Sequence, residues 1–442
     1  MGAEPNLLLD ALLDEAGISH AGLASRVNLR GTSRYDHASV RRWICDSAVP
    51  RGEVPNLICA VLSERLGRAL TLSDIGMARG EDDLSDMPLP AALDRAAALW
   101  RGDHKGSEFV AGTRLLRGSA ATGPAFAWEN PPEDLDVSHR GQRAVGRTEV
   151  DQLRQARARY ELMYRRVGGQ PVRPRVVAFL NHHAAPLLRG TYSDEVGREL
   201  FRAVGGLVAL SGISAYDSDL QPLAQRYLVH ALRMAKASGH REFGGYVVAL
   251  LANQAMYQGN HRLVLQYAQT ALRGAQGHLS PALVVDLNTL QAKAYARLGD
   301  PRSCHRHMTE AERITIRPEN EPPETGYVQP GLVATQAADI LRRLGDLTAA
   351  QTYAEESVRA SDGTHLRGKA HRLATLAQVI GQRGDAEHAA AVGHQVLDIT
   401  EGMESGRLDD RVRDLAQDLR GQGTAAAREF RERAADQLRA PR

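Results

Sequence analysis

The chain has 442 residues, 43% of them hydrophobic, and a formal net charge of +2, a length that suits two or three domains around a large core. Its three cysteines, Cys45, Cys59 and Cys304, are scattered, which excludes a disulfide framework and fits a reducing cytoplasm. No apolar run approaches the roughly 20 residues needed to cross a bilayer, and the first residues lack the pattern of a secretion signal, so a cytoplasmic protein without a membrane partner is expected.

In chain order, residues 1–80 read as a compact helical domain. Leu7, Leu8, Leu12, Leu13 and Ala16 share a face of a first helix that stops at Gly17. Ser19 caps a second, with Leu23, Ala24 and Val27 inside. A third runs from His37 to Cys45 with Val40 and Trp43 on its apolar side. A fourth follows Pro50, from Val54 to Leu66, and Leu70, Leu72 and Ile75 close the unit. Positive charge concentrates in the middle. Six arginines between His20 and Arg51 (26, 30, 34, 41, 42 and 51) face only Asp36 and Asp46. Such a patch is the electrostatic footprint of a nucleic-acid partner.

The series Gly17-Ile-Ser, Leu23-Ala24, Val27-Asn28, Ser39-Val40-Arg-Arg-Trp43 and Pro50-Arg51 resembles a phage-repressor-like helix-turn-helix domain. The resemblance implies that the Val40–Trp43 helix reads double-stranded DNA, with His37, Ala38, Ser39, Arg41 and Arg42 facing outward. The turn between Val27 and Val40 is longer than the family's by about six residues. It carries Arg30, Arg34 and Tyr35, which suit phosphate contact, as does Arg51. A solvated basic helix in a protein-docking domain stays open beside this reading.

Residues 81–137 are expected to be a linker and irregular segment: an acidic run and Pro88-Leu89-Pro90, a short helix at Leu93–Trp100, a strand or helix at 109–116, and a loop at Pro124–Pro132 anchoring Phe126 and Trp128. From 138 to 442 a helical body is expected. Thr148 caps its first helix, whose stripe is Val150, Leu153, Tyr160, Tyr164 and Val167. Arg154, Arg157, Arg159, Arg165 and Arg166 lie on the opposite, solvated face, where a second nucleic-acid contact or an anionic-ligand seat is the sharper option.

The body carries a repeated register. Gly259-Asn260, Gly299-Asp300, Gly345-Asp346 and Gly384-Asp385 are corners. Seven residues before each glycine stands an alanine: 252, 292, 338 and 377. Five, nine and twelve residues after it the residue is small or apolar: Val264, Ala268, Ala271; Cys304, Met308, Ala311; Ala350, Ala354, Ser357; Ala389, Gly393, Val396. The intervals 0, 4 and 7 hold one helix face. Residues 193–210 and 220–237 form a fifth hairpin around a longer loop at 211–218, 317–330 form a loop, and 408–419 and 425–438 are terminal helices that cap the array or join a dimer.

This register resembles the tetratricopeptide repeat, although the glycines stand 40, 46 and 39 residues apart against a consensus of about 34. The fold class expected is all-α: a helix-turn-helix domain followed by a helical-hairpin superhelix. The resemblance implies a concave wall where Asn253, Thr289, Lys293, Thr335, Asp339, Arg342 and Gln378 hold a peptide or small-molecule effector, with a merely solvated or self-associating wall as the plainer option. His182-His183 and Cys304-x-x-His307 lack the second ligand pair of a structural zinc site. No phosphate-cradling loop or nucleophile motif is present, so neither a metal, a cofactor nor catalysis is expected. The layout resembles the helix-turn-helix/tetratricopeptide regulators of development and antibiotic production in streptomycetes. It implies a homodimeric, sequence-specific transcription regulator, for instance a repressor, or alternatively a scaffold that regulates through protein contacts without DNA.

Overall fold

The computed structural model describes residues 5–31, 34–46, 48–50, 53–68, 70, 72, 74–77, 87–130, 134–361 and 365–439. Among these the chain is all-α. No β-strand forms, and pairing outside helices is limited to the isolated bridges His139–Tyr192 and Ala144–Thr191. No described helix is long and apolar enough to cross a membrane.

The head consists of α1 (Leu7–Ala16), α2 (His20–Arg30), α3 (His37–Cys45) and α4 (Val54–Leu66). The first three helices begin for local reasons. Asn6 Oδ1 accepts the Leu9 N–H at 3.1 Å, Ser19 Oγ that of Gly22 at 3.1 Å, and Asp36 Oδ1 that of Ser39 at 2.8 Å, each satisfying an orphan donor of a helix start. Gly17 ends α1 in the left-handed region, φ 62°, where glycine has no Cβ penalty. Leu9, Leu12, Leu13, Leu23, Val27, Val40, Trp43, Ile58 and Leu62 make one core. Leu9 enters it in place of Leu7 and Leu8, which are only half-buried. Asn6 Nδ2 also donates to the Ile75 carbonyl at 2.8 Å, joining the start of the head to its end.

The expected acidic run lies outside the described residues; the described part of the expected linker is largely helical: α5 (Leu89–Lys105), α6 (Ser107–Gly112) and α7 (Ser119–Glu129). Helix α5 runs well past the short helix expected at Leu93–Trp100, and α7 replaces the loop expected at Pro124–Pro132, with Pro124 inside it. Trp128 is buried, as a core anchor should be, whereas Phe126 is exposed. The indole lies on two glycines: a Cβ on Gly244 would stand 1.9 Å from Trp128 Nε1, and one on Gly274 2.8 Å from its ring. Those two missing side chains let α7 press onto the body, a constraint invisible in the helix's own composition.

The body begins with α8 (Arg147–Val167), α9 (Arg173–Phe179), a π turn (Leu180–Ala184) and α10 (Ala185–Leu188). Helix α8 starts at Gly146, whose N–H is accepted by Glu149 Oε2 at 2.9 Å, and not at Thr148. Six hairpins follow: α11 (Asp194–Asp217) with α12 (Gln221–Ser238), α13 (Arg241–Tyr257) with α14 (His261–Gly274), α15 (Pro281–Arg297) with α16 (Pro301–Arg313), α17 (Leu332–Leu344) with α18 (Leu347–Arg359), α19 (Leu366–Gln382) with α20 (Ala386–Thr400), and α21 (Gly406–Asp418) with α22 (Ala425–Arg439). The loop expected at 211–218 is the end of α11, and the turn is confined to 218–220.

The corners explain the register. Gly259, Gly299, Gly345 and Gly384 all take positive φ, 74° to 94°. The next residue then caps the second helix: Asn260, Asp300, Asp346 and Asp385 accept the N–H three residues on, at 3.3, 3.0, 3.0 and 3.0 Å. Ala252, Ala292, Ala338 and Ala377 are fully buried, and so are Val264, Ala268, Ala271, Ala350 and Ala389 opposite them. Small side chains here let the paired helices approach closely. First helices of successive hairpins touch one another (α11–α13, α13–α15, α15–α17, α17–α19, α19–α21), while α12, α14, α16 and α18 each pack on the next hairpin's first helix. The first helices are therefore the inner layer of a superhelix. At the end, α22 packs along α20 and buries Phe430 beside Gly393, covering the face that a final unit leaves bare.

The superhelix closes on its own beginning. Helix α19 touches α8. The Glu404 N–H donates to the Val167 carbonyl at 2.9 Å, and the Gln170 N–H to the Glu404 carbonyl at 3.4 Å. Between them lies Asp217, whose side chain is completely buried. Its Oδ2 accepts the Gly169 N–H at 2.9 Å. Its Oδ1 accepts Arg367 Nε at 3.1 Å and Ser405 Oγ at 2.8 Å. A carboxylate taken out of water is tolerable only when so fully paired.

Candidate nucleic-acid interface and inner polar axis

Helix α3 is held by its inner side. Val40 and Trp43 are buried, and Tyr35 meets the Trp43 ring edge-on at 5.0 Å between centroids. The turn before α3 is pinned by Asn28, which donates to the Tyr35 carbonyl at 2.7 Å and accepts its N–H at 2.8 Å. The helix pairs in substantial contact with α3 are those with α1 and α2. Its outward side carries His37, Ala38, Arg41 and Arg42, all exposed, with Arg34 exposed just before it.

Three of the residues expected to face a partner have contacts within the head. Ser39 is buried: its hydroxyl donates to Asp36 Oδ1 at 2.7 Å, because the capping carboxylate pulls it round. Those Ser39 hydrogen bonds, side chain first, hold the Asp36 carboxyl below its usual range. Arg30 is ion-paired with Glu64 of α4. Tyr35 is half-buried against Trp43. Arg51 lies outside the described residues. What α3 offers a partner is therefore Arg34, His37, Arg41 and Arg42, with Arg42 lying 3.5 Å from Ser39 Oγ.

The head meets the body through α1 and α5. Arg68 pairs with Glu15 at 3.1 Å and with Asp94 of α5 at 2.7 Å, while Lys105 of α5 pairs with Asp14 of α1. This junction is polar and half-exposed, and ion pairs of that kind contribute little and weaken in salt.

The residues expected on the concave wall make polar contacts along and between the inner helices. Thr289 is fully buried and its hydroxyl donates to the Asp286 carbonyl at 2.9 Å. Thr335 spends its hydroxyl on the Gly331 carbonyl at 2.9 Å and Ser357 Oγ at 2.5 Å. Asn253 donates to the Ala249 carbonyl at 3.1 Å and Asp286 Oδ2 at 3.3 Å. Thr289, Thr335 and Asn253 each bond a backbone carbonyl three or four residues earlier in the chain, and Asn253 also reaches the carboxylate of the next inner helix. Asp286 also accepts the Tyr327 hydroxyl at 2.6 Å. Burial pushes its carboxyl up to about 6, with the Tyr327 and Asn253 hydrogen bonds opposing.

The other four converge. Lys293 of α15 and Arg342 of α17 lie 3.2 and 3.3 Å from the Asp339 carboxylate, and Arg297 lies 3.6 Å from it. Gln378 of α19 accepts Arg411 of α21 at 3.4 Å. Burial would raise the Asp339 carboxyl, but Lys293, Arg411, Arg342 and Arg343 outweigh it and hold it well below the usual range. Burial, with Arg411 and Arg297 near by, pulls Lys293 down against the opposing Asp339. One turn before Arg411 on α21, Arg407 lies over the rings of Tyr216 and Tyr257, at 4.3 and 5.6 Å. Arg297 sits four residues after Lys293, so its shared face was readable from helical spacing. Arg411 belongs to a helix outside the alanine register and had no such signal.

The α8 arginines divide. Arg157, expected on the solvated face, is buried and paired with Glu161 at 2.9 Å, and Arg165 joins the same carboxylate at 2.6 Å. The earlier metal candidates are packed: His183 stacks on Phe179 at 4.8 Å, Cys304 is buried at its repeat position, and His307 Nδ1 lies 2.9 Å from Asn288 Oδ1. Among the described residues no three His, Cys, Asp or Glu side chains are grouped to hold a metal.

Residues 9–78 match the family model described as SP15 N-terminal domain, which coincides with the head. No curated protein matches the chain. Solved structures that it resembles include a signal transduction ATPase with numerous domains (STAND) protein with a tetratricopeptide repeat sensor from Pyrococcus horikoshii. Identity is 12% over 99% of this chain and 76% of that one, with a TM-score of 0.39.

Proposed function

We propose that the chain is a regulatory protein whose head binds duplex DNA through α3 and whose body dimerises and senses a ligand. The observation that carries this is the two-sided character of α3: apolar residues locked into the head, and Arg41 exposed with no partner among the described residues. An unpaired arginine on an outward helix face can pair in bidentate fashion with guanine or hold a phosphate. On this reading the protein works in the cytoplasm as a homodimer, its two heads spaced on half-sites about one helical turn apart. A ligand would act by binding one arrangement of the heads better than the other. Fluorescence-anisotropy titration of genomic duplex fragments tests it. A fragment bound specifically, with affinity falling at least tenfold in an Arg41→Ala/Arg42→Ala variant that melts like the parent, supports it. Unchanged affinity would show that α3 is not the reader.

One observation favours a second reading, a scaffold that docks proteins. Leu29 of α2 is 81% and Val49, after α3, 43% exposed, while Ser39 and Arg30 have contacts within the head. Partners captured by the chain after nuclease treatment, with no footprint on any duplex, would replace the DNA reading with this one.

A further inference from the structure

The geometry points to a binding site for a small phosphate-bearing anion on the inner axis, between Lys293 and Arg297 of α15, Arg342 of α17 and Arg411 of α21. It deepens the ligand-sensing half of the proposed function and rests on it only for what the anion is for; the site itself stands on the body's own contacts.

Four cations gather there on three helices. The ion pairs that Lys293, Arg297 and Arg342 make within 4 Å all end on one carboxylate, Asp339. Arg411 adds its charge, with only the Gln378 amide at hydrogen-bond distance among the described residues. Asp414 and Asp418 act on Arg411 and Arg342 at longer range. One carboxylate offers about four acceptor sites, whereas each guanidinium brings five N–H donors. The shortfall is visible: Arg297 Nε and Arg342 Nε are buried with no hydrogen-bond partner. Like charges crowded at low dielectric repel strongly, and unmet buried donors cost further. The Arg297, Arg342 and Lys293 side chains nevertheless remain 24%, 11% and 14% exposed, so the cluster reaches solvent.

An arriving anion would meet donors from three directions. A planar carboxylate uses one edge at a time. A tetrahedral phosphoryl group presents three oxygens and up to two charges, which suits converging guanidinium forks and a lysine. The donors sit on α15, α17 and α21, and α21 also seals the superhelix onto Tyr216 and Tyr257. An anion held there would tighten the closure between the last hairpin and the first two.

Isothermal titration calorimetry of the full chain with inorganic pyrophosphate tests this, sodium chloride being matched for ionic strength. The expected result is saturable one-site binding, weakened at least tenfold by Arg342→Gln and by Arg411→Gln and unaltered by Arg302→Gln on the outer helix α16. Adenosine triphosphate in a second titration separates the sources. Tighter binding than pyrophosphate marks a nucleotide tail and weaker binding a free phosphate, and both keep the phosphate assignment. Absence of saturable binding to either probe overturns the site, as does binding that both inner variants retain or that citrate matches. Should a variant melt early, the parent isotherm and the phosphorus chemical shift of bound pyrophosphate still decide. No DNA enters the experiment, so its failure leaves the reading of α3 untouched, and loss of DNA binding leaves this site untouched.

Discussion

The head and the body treat arginine in opposite ways. In the head the apolar side chains of α3 point inward and Arg41 and Arg42 stand in water. In the body Arg157, Arg342 and Arg367 are turned onto the Glu161, Asp339 and Asp217 carboxylates, and Arg411 onto the Gln378 amide. A solvated guanidinium costs nothing to display and is free for a partner, whereas a buried one demands acceptors and so dictates how helices meet. Composition alone, 55 basic against 53 acidic residues, conceals that division.

The contrast breaks most sharply at the clasp. Replacing Asp217 by Ala leaves Arg367 buried without its carboxylate and removes the acceptor shared by Gly169 and Ser405. Loss of one partner from a buried pair costs about 3–5 kcal/mol. Thermal unfolding should shift accordingly, and hydrogen exchange should open first where 404–405 meets 167–170. A loss no larger than that of an exposed head variant such as Arg41→Ala would mean that the closure is unimportant to the body.

A weaker effect of opposite sign is expected at Asp286. Its folded-state carboxyl stands at about 6, above the ordinary 3.8. The folded chain therefore holds this proton more tightly than the unfolded one. The stability that this contributes is fully present below pH 3.8 and is lost as pH rises through about 6. Asp286→Asn should abolish that loss, so its advantage over the parent should grow between pH 4 and 7 and reach on the order of 3 kcal/mol at most. Denaturant unfolding across that range is the check, and a flat difference would mean that Asp286 titrates normally.

Smaller again is the cost of filling the seam between paired helices. Ala338→Leu inserts volume where the side chain is fully buried, a change worth about 1–3 kcal/mol. Ala38→Leu on the exposed face of α3 should alter stability by no more than about 0.5 kcal/mol. Equal effects from the two, measured by urea unfolding, would contradict the inside and outside assigned to these alanines.

Much of this architecture is legible in the sequence because it is local. The Gly-Asn and Gly-Asp corners carry their own mechanism, a left-handed residue followed by a cap, and the alanine register marks the seams directly. Val40 and Trp43 declare the inner side of α3 by helical spacing. Other features depend on partners distant in the chain. Helix α7 is set by Trp128 seating on Gly244 and Gly274, more than a hundred residues on, so Pro124 reads locally as a breaker. Ser39 turns inward because Asp36 beside it is a cap, which a pattern of outward positions overlooks. The closure of the superhelix on its beginning depends on Glu404 meeting Val167 and on Asp217 meeting Arg367. No periodicity announces such contacts.

The claim on which the functional account turns is that the outward arginines of α3 neutralise DNA phosphates or read bases. The dependence of duplex affinity on salt measures it most directly. Counterion release makes log K fall linearly with log salt concentration, by about 0.9 for each phosphate neutralised. The parent should show a steep slope, and Arg41→Ala/Arg42→Ala should reduce it by about 1 for each arginine that holds a phosphate, or weaken binding with relaxed sequence preference for each that reads a base. A slope, affinity and preference all unchanged in that variant would contradict the account.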